Sequence, residues 1–343
     1  MARIASDFFR VFHIVTIAFF LSLPCCKKEG PPAGEEVVLY CSVDQAIAEP
    51  VIAEFERDSG IRVLARYDTE ATKTVGLVQK IRAEAAAPVA DVFWSGEVFH
   101  TIRLANEGLL VPYSSERTNG WPERFADPNG QWYGFGLRAR VIAYNTRRVD
   151  ANDAPRCLED VLDKKWKGRL VMASPEFGTT GGDVASWFAH YGTTCAREIL
   201  KGLADNQVRL VSGNSTAVRM VATGQADVCF TDTDDVYAAW RNGWPVAMNY
   251  LDQGGDGALA IPNTAAFIKR AAHPEQAARL MDFLLSERLE EILVLSDSHN
   301  CPVRVSVAQQ HEAYIIAKQL FIKYEDVAGQ LRTAIEAARE TLR

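Results

Sequence analysis

The chain has 343 residues, of which 48% are hydrophobic and 24% charged, a balance typical of a globular protein. This length predicts two domains or one large domain, either of which could bury a sizeable core. The formal net charge of -7 argues against a nucleic-acid partner, because binding to phosphates requires a basic surface.

The first 26 residues have the pattern of an export signal. Two arginines accompany the apolar stretch 11–23, which is shorter than a typical membrane span. The cysteines that follow resemble a bacterial lipoprotein signal, with Cys26 as the lipidated residue and Cys25 as the alternative. We therefore expect a lipid-anchored protein in the periplasm or at the cell surface, with 27–35 as a flexible tether. Plain secretion or an uncleaved anchor is the alternative.

Five cysteines remain beyond the signal, at positions 41, 157, 195, 229 and 301. The number is odd, so at least one is unpaired within the chain. Export permits disulfides, and Cys157 and Cys195 flank one predicted α/β unit, so they are a candidate pair. Buried free thiols are the alternative.

Strand and helix patterns alternate after the tether. The first series predicts strands at 36–40, 61–67 and 90–94 and helices at 47–59, 72–87 and 98–107. This order predicts a parallel sheet that is covered by helices.

A second α/β series begins with the long strand pattern at 131–145. It continues with strands at 169–173, 207–211, 228–230, 246–250 and 258–261 and helices at 158–166, 183–203, 217–223, 275–285, 287–295 and 314–342. Two α/β domains joined by long strands indicate a hinged clamshell.

Polar clusters occur where the predicted strands end. Ligands of open α/β sheets bind beyond the carboxyl ends of the strands, so we expect these clusters to face one cleft. The candidate ligand-binding residues are Asp44, Gln45, Thr72, Ser95, Glu97, Thr179, Thr180, Gly181, Asn214 and Thr233.

The glycine-rich stretch 177–183 opens a long predicted helix. Free N–H groups at a helix start, with glycines that allow close approach, favour an anion. The stretch is not a Walker P-loop, because no lysine follows its last glycine. Asn214 opens the next helix and could assist the same anion. A plain N-cap by Thr180 or Asp183 is the alternative.

Three carboxylates, Asp232, Asp234 and Asp235, fall within four residues after a strand. Like charges this close repel one another and raise each other's pKa unless a positive group holds them. Oxygen ligands suit Ca²⁺, Mg²⁺, Mn²⁺ or ferric iron, and a protonated amine would also serve. Asp44 and Glu97 would face the three aspartates from the first domain. Solvated or helix-capping carboxylates are the alternative.

Several segments, taken in order, resemble the bacterial extracellular solute-binding proteins of the ferric-iron-binding, bacterial transferrin-like group. They are 37–40, 55–63, 90–95 (ADVFWS), 108–113 (GLLVPY), 138–146 and 165–169. The resemblance implies a monomeric α/β clamshell of the type II periplasmic-binding-protein class, in which each lobe is a mixed, mainly parallel sheet. Lobe 1 would comprise 36–137 and 258–343 and lobe 2 138–257, joined by two hinge strands. The implied partners are an ABC importer permease and its ATPase, and the implied cargo is Fe(III) or another hard metal ion, with no required cofactor.

Iron-binding members of the group use a His, a Glu, two adjacent Tyr and an anion. The His position corresponds to Asp44 or Gln45 here, and the Glu to Glu97. The anion position corresponds to 179–182, and the Tyr pair falls in 231–235, where this chain has no tyrosine. The resemblance therefore leaves open a carboxylate metal site or an organic solute such as a sugar phosphate, phosphonate or polyamine.

An enzyme alternative comes from 228–234, which resembles the start of DxD-type, Mg²⁺-dependent phosphatases. Those enzymes begin with this motif, whereas here it lies two-thirds along the chain. We therefore expect a binding protein and not an enzyme. A scaffold or sensor that serves no importer is a third possibility.

Overall fold

The computed structural model describes residues 35–68 and 72–342. The predicted signal and the proposed lipidation site at Cys26 lie outside the described residues. Nearly all of the tether does as well. Within the part described, no helix combines the length and the apolar character needed to span a bilayer. The chain from Glu35 onward forms one compact unit.

Strands and helices alternate through most of this unit. The strands are β1 Glu36–Cys41, β2 Arg62–Tyr67, β3 Val92–Ser95, β4 Leu110–Val111, β5 Tyr133–Asn145, β6 Leu170–Ala173, β7 Arg209–Val211, β8 Val228–Asp232, β9 Val246–Tyr250 and β10 Ala260–Ile268. The helices are α1 Gln45–Ser59, α2 Val75–Ala83, α3 Phe99–Asn106, α4 Leu158–Val161, α5 Gly178–Asp205, α6 Asn214–Ala222, α7 Thr233–Arg241, α8 Pro274–Leu284, α9 Glu287–Leu295, α10 Val305–Ala308 and α11 Tyr324–Thr341. Helix α5 is interrupted at Gly192, whose φ of 81° is not helical.

The strands form two half-sheets that share β5. In the first half-sheet β2, β1 and β3 are parallel, and β10 pairs antiparallel with β3, β4 and the first part of β5. In the second half-sheet β7, β6 and β8 are parallel, and the rest of β5 pairs antiparallel with β8 and β9. Each half is therefore a mixed sheet with a parallel core.

Strand β5 passes from one half-sheet to the other between two adjacent residues. Ala139 pairs with Ala260 of β10, whereas Arg140 pairs with Asp232 of β8. All 13 residues of β5 are buried, so this connection lies in the core of the molecule. The arrangement confirms the predicted α/β class and the two-lobed clamshell.

Some predicted boundaries were wrong for identifiable reasons. Helix α5 begins at Gly178, five residues before the prediction, because burial of its glycine-rich first turns outweighs their low helix propensity. Helix α11 begins only at Tyr324, because the chain before it is tied to another backbone segment. The N–H of Leu320 donates a hydrogen bond to the carbonyl of Ala258. Helix α7 was not predicted, because its acidic first turn was interpreted as a ligand cluster.

Cys157 and Cys195, the candidate disulfide pair from the sequence, are not bonded to each other. All five cysteines of the described part are free, three of them buried, with Cys157 half-buried and Cys195 exposed. Burial raises the pKa of the Cys41 thiol to about 12. The buried thiols therefore serve as small apolar side chains.

Candidate functional site

A cavity of about 50 Å³ lies between the two half-sheets. Most of the residues that line it follow the carboxyl ends of the parallel strands β1, β3, β6, β7 and β8, while Lys73 and Thr74 follow β2 and Arg138 lies on β5. Helices α5, α6 and α7 start there. Parallel strands bring their carboxyl ends to the same edge, which explains why segments distant in sequence meet at this point.

The three aspartates at the start of α7 converge on this cavity. One carboxylate oxygen of each of Asp232, Asp234 and Asp235 lies within 4.8 Å of the others. All three line the cavity. This is the cation-type cluster that the sequence predicts, although its charge is partly neutralised by the chain itself.

Asp232 is held by side chains of three elements. Its Oδ1 accepts a hydrogen bond from Arg140 Nη1 at 2.8 Å, and its Oδ2 accepts from Thr179 at 2.5 Å and from Asn214 at 3.0 Å. Burial alone would raise the pKa of Asp232, but the nearby arginines and the Thr179 hydroxyl lower it. These bonds join β5, α5 and α6 to the end of β8 at the edge of the cavity.

Arg140 is fully buried on β5 and joins two carboxylates. Its Nε donates to Asp183 at 3.0 Å while its Nη1 donates to Asp232. A buried guanidinium requires such partners, because an unpaired charge in the interior is costly. Arg140 therefore fixes α5, which carries Asp183, to the end of β8.

Arg138 lies two residues before Arg140, on the same face of β5. Its Nη1 donates to Asp234 Oδ2 at 3.4 Å, and its Nη2 contacts the carbonyl oxygen of Gly96. Burial and the Asp232 charge raise the pKa of Asp234, while Arg138 opposes that shift. Arg138 thus connects the loop after β3 to the start of α7.

Asp235 has no arginine partner in the described residues. Its carboxylate accepts a hydrogen bond from Thr231 at 2.9 Å. Burial, together with the charges of Asp234 and Asp232, raises the pKa of Asp235 well above its usual range. A cation at this position would relieve that repulsion.

The first half-sheet contributes an ion pair to the cavity. Lys73 Nζ lies 2.5 Å from Asp44 Oδ1, and both residues line the cavity. Partial desolvation would raise the pKa of the half-exposed Asp44 carboxyl, but the attraction of Lys73 lowers it overall. Asp44 is therefore close to Arg138 and the aspartates of α7, as the sequence predicts for a facing carboxylate.

Three helix starts point their N–H groups toward the same cavity. The N-cap residues of α5, α6 and α7 are Phe177, Gly213 and Asp232. In the described structure, none of these three residues caps its helix with a side-chain hydrogen bond. Thr180 instead donates to the Asn214 side-chain oxygen at 3.1 Å, which joins two of the starts. The summed positive ends of these helices favour an anion.

Glu97, predicted as a metal ligand, does not line the cavity. Its carboxylate accepts hydrogen bonds from the backbone N–H groups of Phe99 and His100 and contacts the His100 ring. The side chain is 1% exposed and satisfies the first turn of α3. The preceding residue, Gly96, lines the cavity in its place, and its carbonyl contacts Arg138.

Five other predicted residues also lie off the cavity. Gln45 is exposed and bonds to Glu49, and Thr72 is exposed and bonds to Asp68. The hydroxyls of Ser95 and Thr233 are buried and accept from backbone N–H groups. Gly181 allows close packing of the backbone, because a Cβ there would lie 2.6 Å from the carbonyl oxygen of Pro175.

Tyr237, the tyrosine nearest to the aspartates in sequence, faces away from them. Its ring packs edge-on against His299 and Tyr314, with centroids 5.0 and 5.9 Å apart. Burial and the nearby Tyr250 raise the pKa of Tyr237, which disfavours a phenolate. A tyrosine ligand is therefore absent from the described cavity lining.

Arg138, Arg140 and Lys73 are residues of the site that were not predicted from the sequence. The signal was available in β5, where two arginines alternate in a strand that is otherwise apolar. Buried arginines must be paired, so such a pattern indicates acidic partners near the strand. Lys73 gave a weaker signal, as one of several polar residues after β2.

Comparison with known proteins identifies the family. The profile for bacterial extracellular solute-binding proteins matches residues 87–328, more than half of the chain. Iron uptake protein A1 of Synechocystis sp. is 28% identical over 290 residues, which cover 81% of this chain and 79% of that protein. A putative 2-aminoethylphosphonate-binding periplasmic protein of Salmonella typhi is 26% identical over 246 residues, 69% of each chain.

Solved structures agree with this assignment. The structure of iron-bound HitA from Pseudomonas aeruginosa matches with a TM-score of 0.76 and 26% identity. The match covers 90% of this chain and 99% of that chain. On its sequence, its fold and the placement of its cavity, the chain belongs to the family of bacterial extracellular solute-binding proteins.

Proposed function

We propose that this protein is the substrate-binding component of an ABC importer and that it carries a ferric ion, together with a small anion, in the cavity between its half-sheets. The observation that carries the proposal is the cluster of Asp232, Asp234 and Asp235, whose oxygens lie within 4.8 Å of one another. Hard carboxylate oxygens suit a hard cation. Iron-uptake relatives and iron-bound HitA support this choice of cargo.

The chemistry of the cavity lining supports a cation. The side chains of the acidic cluster offer carboxylate oxygens. Carboxylates would replace the tyrosine ligands of the iron-binding group.

The anion would bind at the starts of α5, α6 and α7. Thr179, Thr180 and Asn214 line that end of the cavity, beside the helix N–H groups. The positive helix ends lie within the same small space as the aspartates, so a cation and its anion would be in contact. Such an anion would complete the coordination of a metal that the carboxylates bind from one side.

The test is a thermal-shift titration of residues 29–343 with Fe(III) supplied as a soluble chelate. A ligand that binds only the folded state raises the melting temperature in proportion to RT ln(1 + [L]/Kd). We expect a shift with wild type that is lost in Asp234→Asn. Asp58→Asn, at the exposed end of α1, is the matched control and should keep the shift. An unchanged shift in Asp234→Asn would contradict the carboxylate site.

A second candidate cargo is an organic phosphate or phosphonate. Three uncapped helix starts beside Arg138 and Lys73 favour a phosphoryl group, and the Salmonella relative supports this class. The aspartates would then receive an amine or hydroxyl groups of the same molecule. A thermal shift with 2-aminoethylphosphonate or a hexose phosphate, and none with Fe(III), would favour this candidate.

We also propose the lobe boundaries and the membrane anchor that the sequence indicates. Lobe 1 comprises 36–137 and 258–343, and lobe 2 comprises 138–257; the change of partner of β5 after Ala139 supports the first boundary. Cys26 would carry the lipid. Expression of Cys26→Ser and Cys25→Ser tests the anchor, since only the first should release the protein from the membrane fraction.

A further inference from the structure

Arg138 lies in the cavity lining, near the carboxylates that a cargo cation would contact. It is 8% exposed, and it contacts Gly96 of the first half-sheet and Asp234 of the second. Lys73 is engaged by Asp44, and Arg140 by Asp183 and Asp232. Arg138 is thus the basic side chain that neutralises Asp234 among the described residues.

The charges around Arg138 are mostly negative. Burial would lower the pKa of its guanidinium, but four carboxylates raise it, with Asp234 the strongest, followed by Asp232, Asp44 and Asp235. These are carboxylates that would also surround a metal ion in this cavity. A guanidinium and a metal cation would therefore compete for the same negative field.

The pair formed by Arg138 and Asp234 is incomplete. Arg138 Nε and Asp234 Oδ1 are both buried, and neither has a hydrogen-bond partner within residues 35–68 and 72–342. Their one contact is 3.4 Å long, whereas a charge-assisted hydrogen bond is usually near 2.8 Å. A ligand in this cavity could therefore satisfy both a buried oxygen and a buried donor of its lining.

We propose that Arg138 is a displaceable counter-ion: it neutralises Asp234 in the empty cleft and gives up that carboxylate when a cation enters. The freed guanidinium then donates to the anion at the helix starts. This inference rests on the proposed function, because it requires a cationic cargo. Arg138 is a specificity-determining residue in this scheme, since it sets how strongly a cation must bind to replace it.

The test compares Arg138→Gln with Arg138→Lys in residues 29–343, with gallium(III) as a redox-inert trivalent probe and a competing chelator to set its free concentration. Removal of the competing charge should lower the apparent Kd for gallium(III) at least about fivefold in Arg138→Gln. It should also lower the melting temperature of the metal-free protein, because Asp234 loses its partner. Arg138→Lys keeps the charge and should remain within about threefold of wild type.

A structure of gallium-loaded wild type gives a second measurement that does not depend on the folding of a variant. We expect Asp234 on the metal and the guanidinium of Arg138 turned away from it. If Arg138 remains bonded to Asp234 beside the metal, or if Arg138→Gln binds gallium(III) no more tightly than wild type, the exchange is refuted while the metal site stands. If wild type binds neither gallium(III) nor Fe(III), the proposed function fails and the inference falls with it.

Discussion

Gly182 of α5 lies against the ring of Phe99, the first residue of α3, so a single methyl group at Gly182 should be destabilising. A Cβ built at Gly182 would lie 1.9 Å from Cε2 and 2.2 Å from Cδ2 of the Phe99 ring. Optimal carbon contacts are about 3.5–4.0 Å, so the ring would have to move by more than about 1 Å. Phe99 is fully buried and packs against Tyr324, with ring centroids 6.1 Å apart, so that movement is blocked.

Gly182→Ala therefore sets two opposing effects against each other. Helix propensity favours alanine by about 0.5–1 kcal/mol, whereas overpacking a rigid core costs about 1–3 kcal/mol. We expect a net loss of about 1–2 kcal/mol in the free energy of unfolding, measured by urea denaturation. Gly329→Ala is the control, because Gly329 lies inside α11 and an added methyl group there would have no atom within 4 Å. We expect this change to leave the free energy of unfolding unchanged or to increase it.

A double variant separates the clash from other effects. Phe99→Leu removes the ring edge, so Gly182→Ala should cost less in that background than alone, and the two changes should not add. If Gly182→Ala is as stable as Gly329→Ala, the close approach of Gly182 to Phe99 is not a constraint and the packing argument is wrong.

Three further predictions concern ion pairs and thiols. Asp227→Asn should cost about 1.5–3 kcal/mol at pH 7, because the buried carboxylate pairs with two arginines. Burial would raise the pKa of Asp227, but the two arginines lower it overall. This contribution to stability is therefore complete above the unfolded pKa of about 4 and is lost as the pH falls through the lower pKa of the folded protein, so the unfolding free energies of wild type and variant should converge in acid. Arg140→Met should cost about 3–5 kcal/mol in urea unfolding, since it leaves two buried carboxylates unpaired, and Arg140→Lys should not restore both contacts. Native thiol labelling of residues 29–343 should modify Cys195 first and the three buried cysteines only after unfolding, as mass spectrometry can measure.

The fold was predictable because its signals are local. Alternating apolar runs and helical spacing located nine of the ten strands and the long helices, and the β-α-β order determined the sheet type. The strand ends then indicated where ligand-facing residues would lie. The errors came from segments whose conformation depends on distant partners, such as the chain before α11, which is held extended by Ala258.

The partners of the site residues were less predictable than their positions. Glu97 follows β3 as a ligand would, yet its carboxylate turns back to the N–H groups of α3. The sequence order cannot distinguish these two orientations, because both place the residue after the same strand. The same ambiguity hid Arg140, whose partners Asp183 and Asp232 are 43 and 92 residues away in sequence.

The charge balance of the cavity is the strongest argument about its contents. Among the described residues, five carboxylates meet three basic side chains, so ionisation of all five would leave two negative charges without an internal cation, in line with the raised pKa of Asp235. The carboxylates are those of Asp44, Asp183, Asp232, Asp234 and Asp235. The starts of α5 and α6, which line the same cavity, favour negative charge in the ligand. A bare cation satisfies only the carboxylates, and a simple anion satisfies only the helix starts. A cation carried with its anion satisfies both, and it also provides an acceptor for the unpaired Nε of Arg138 and a partner for the unpaired Oδ1 of Asp234.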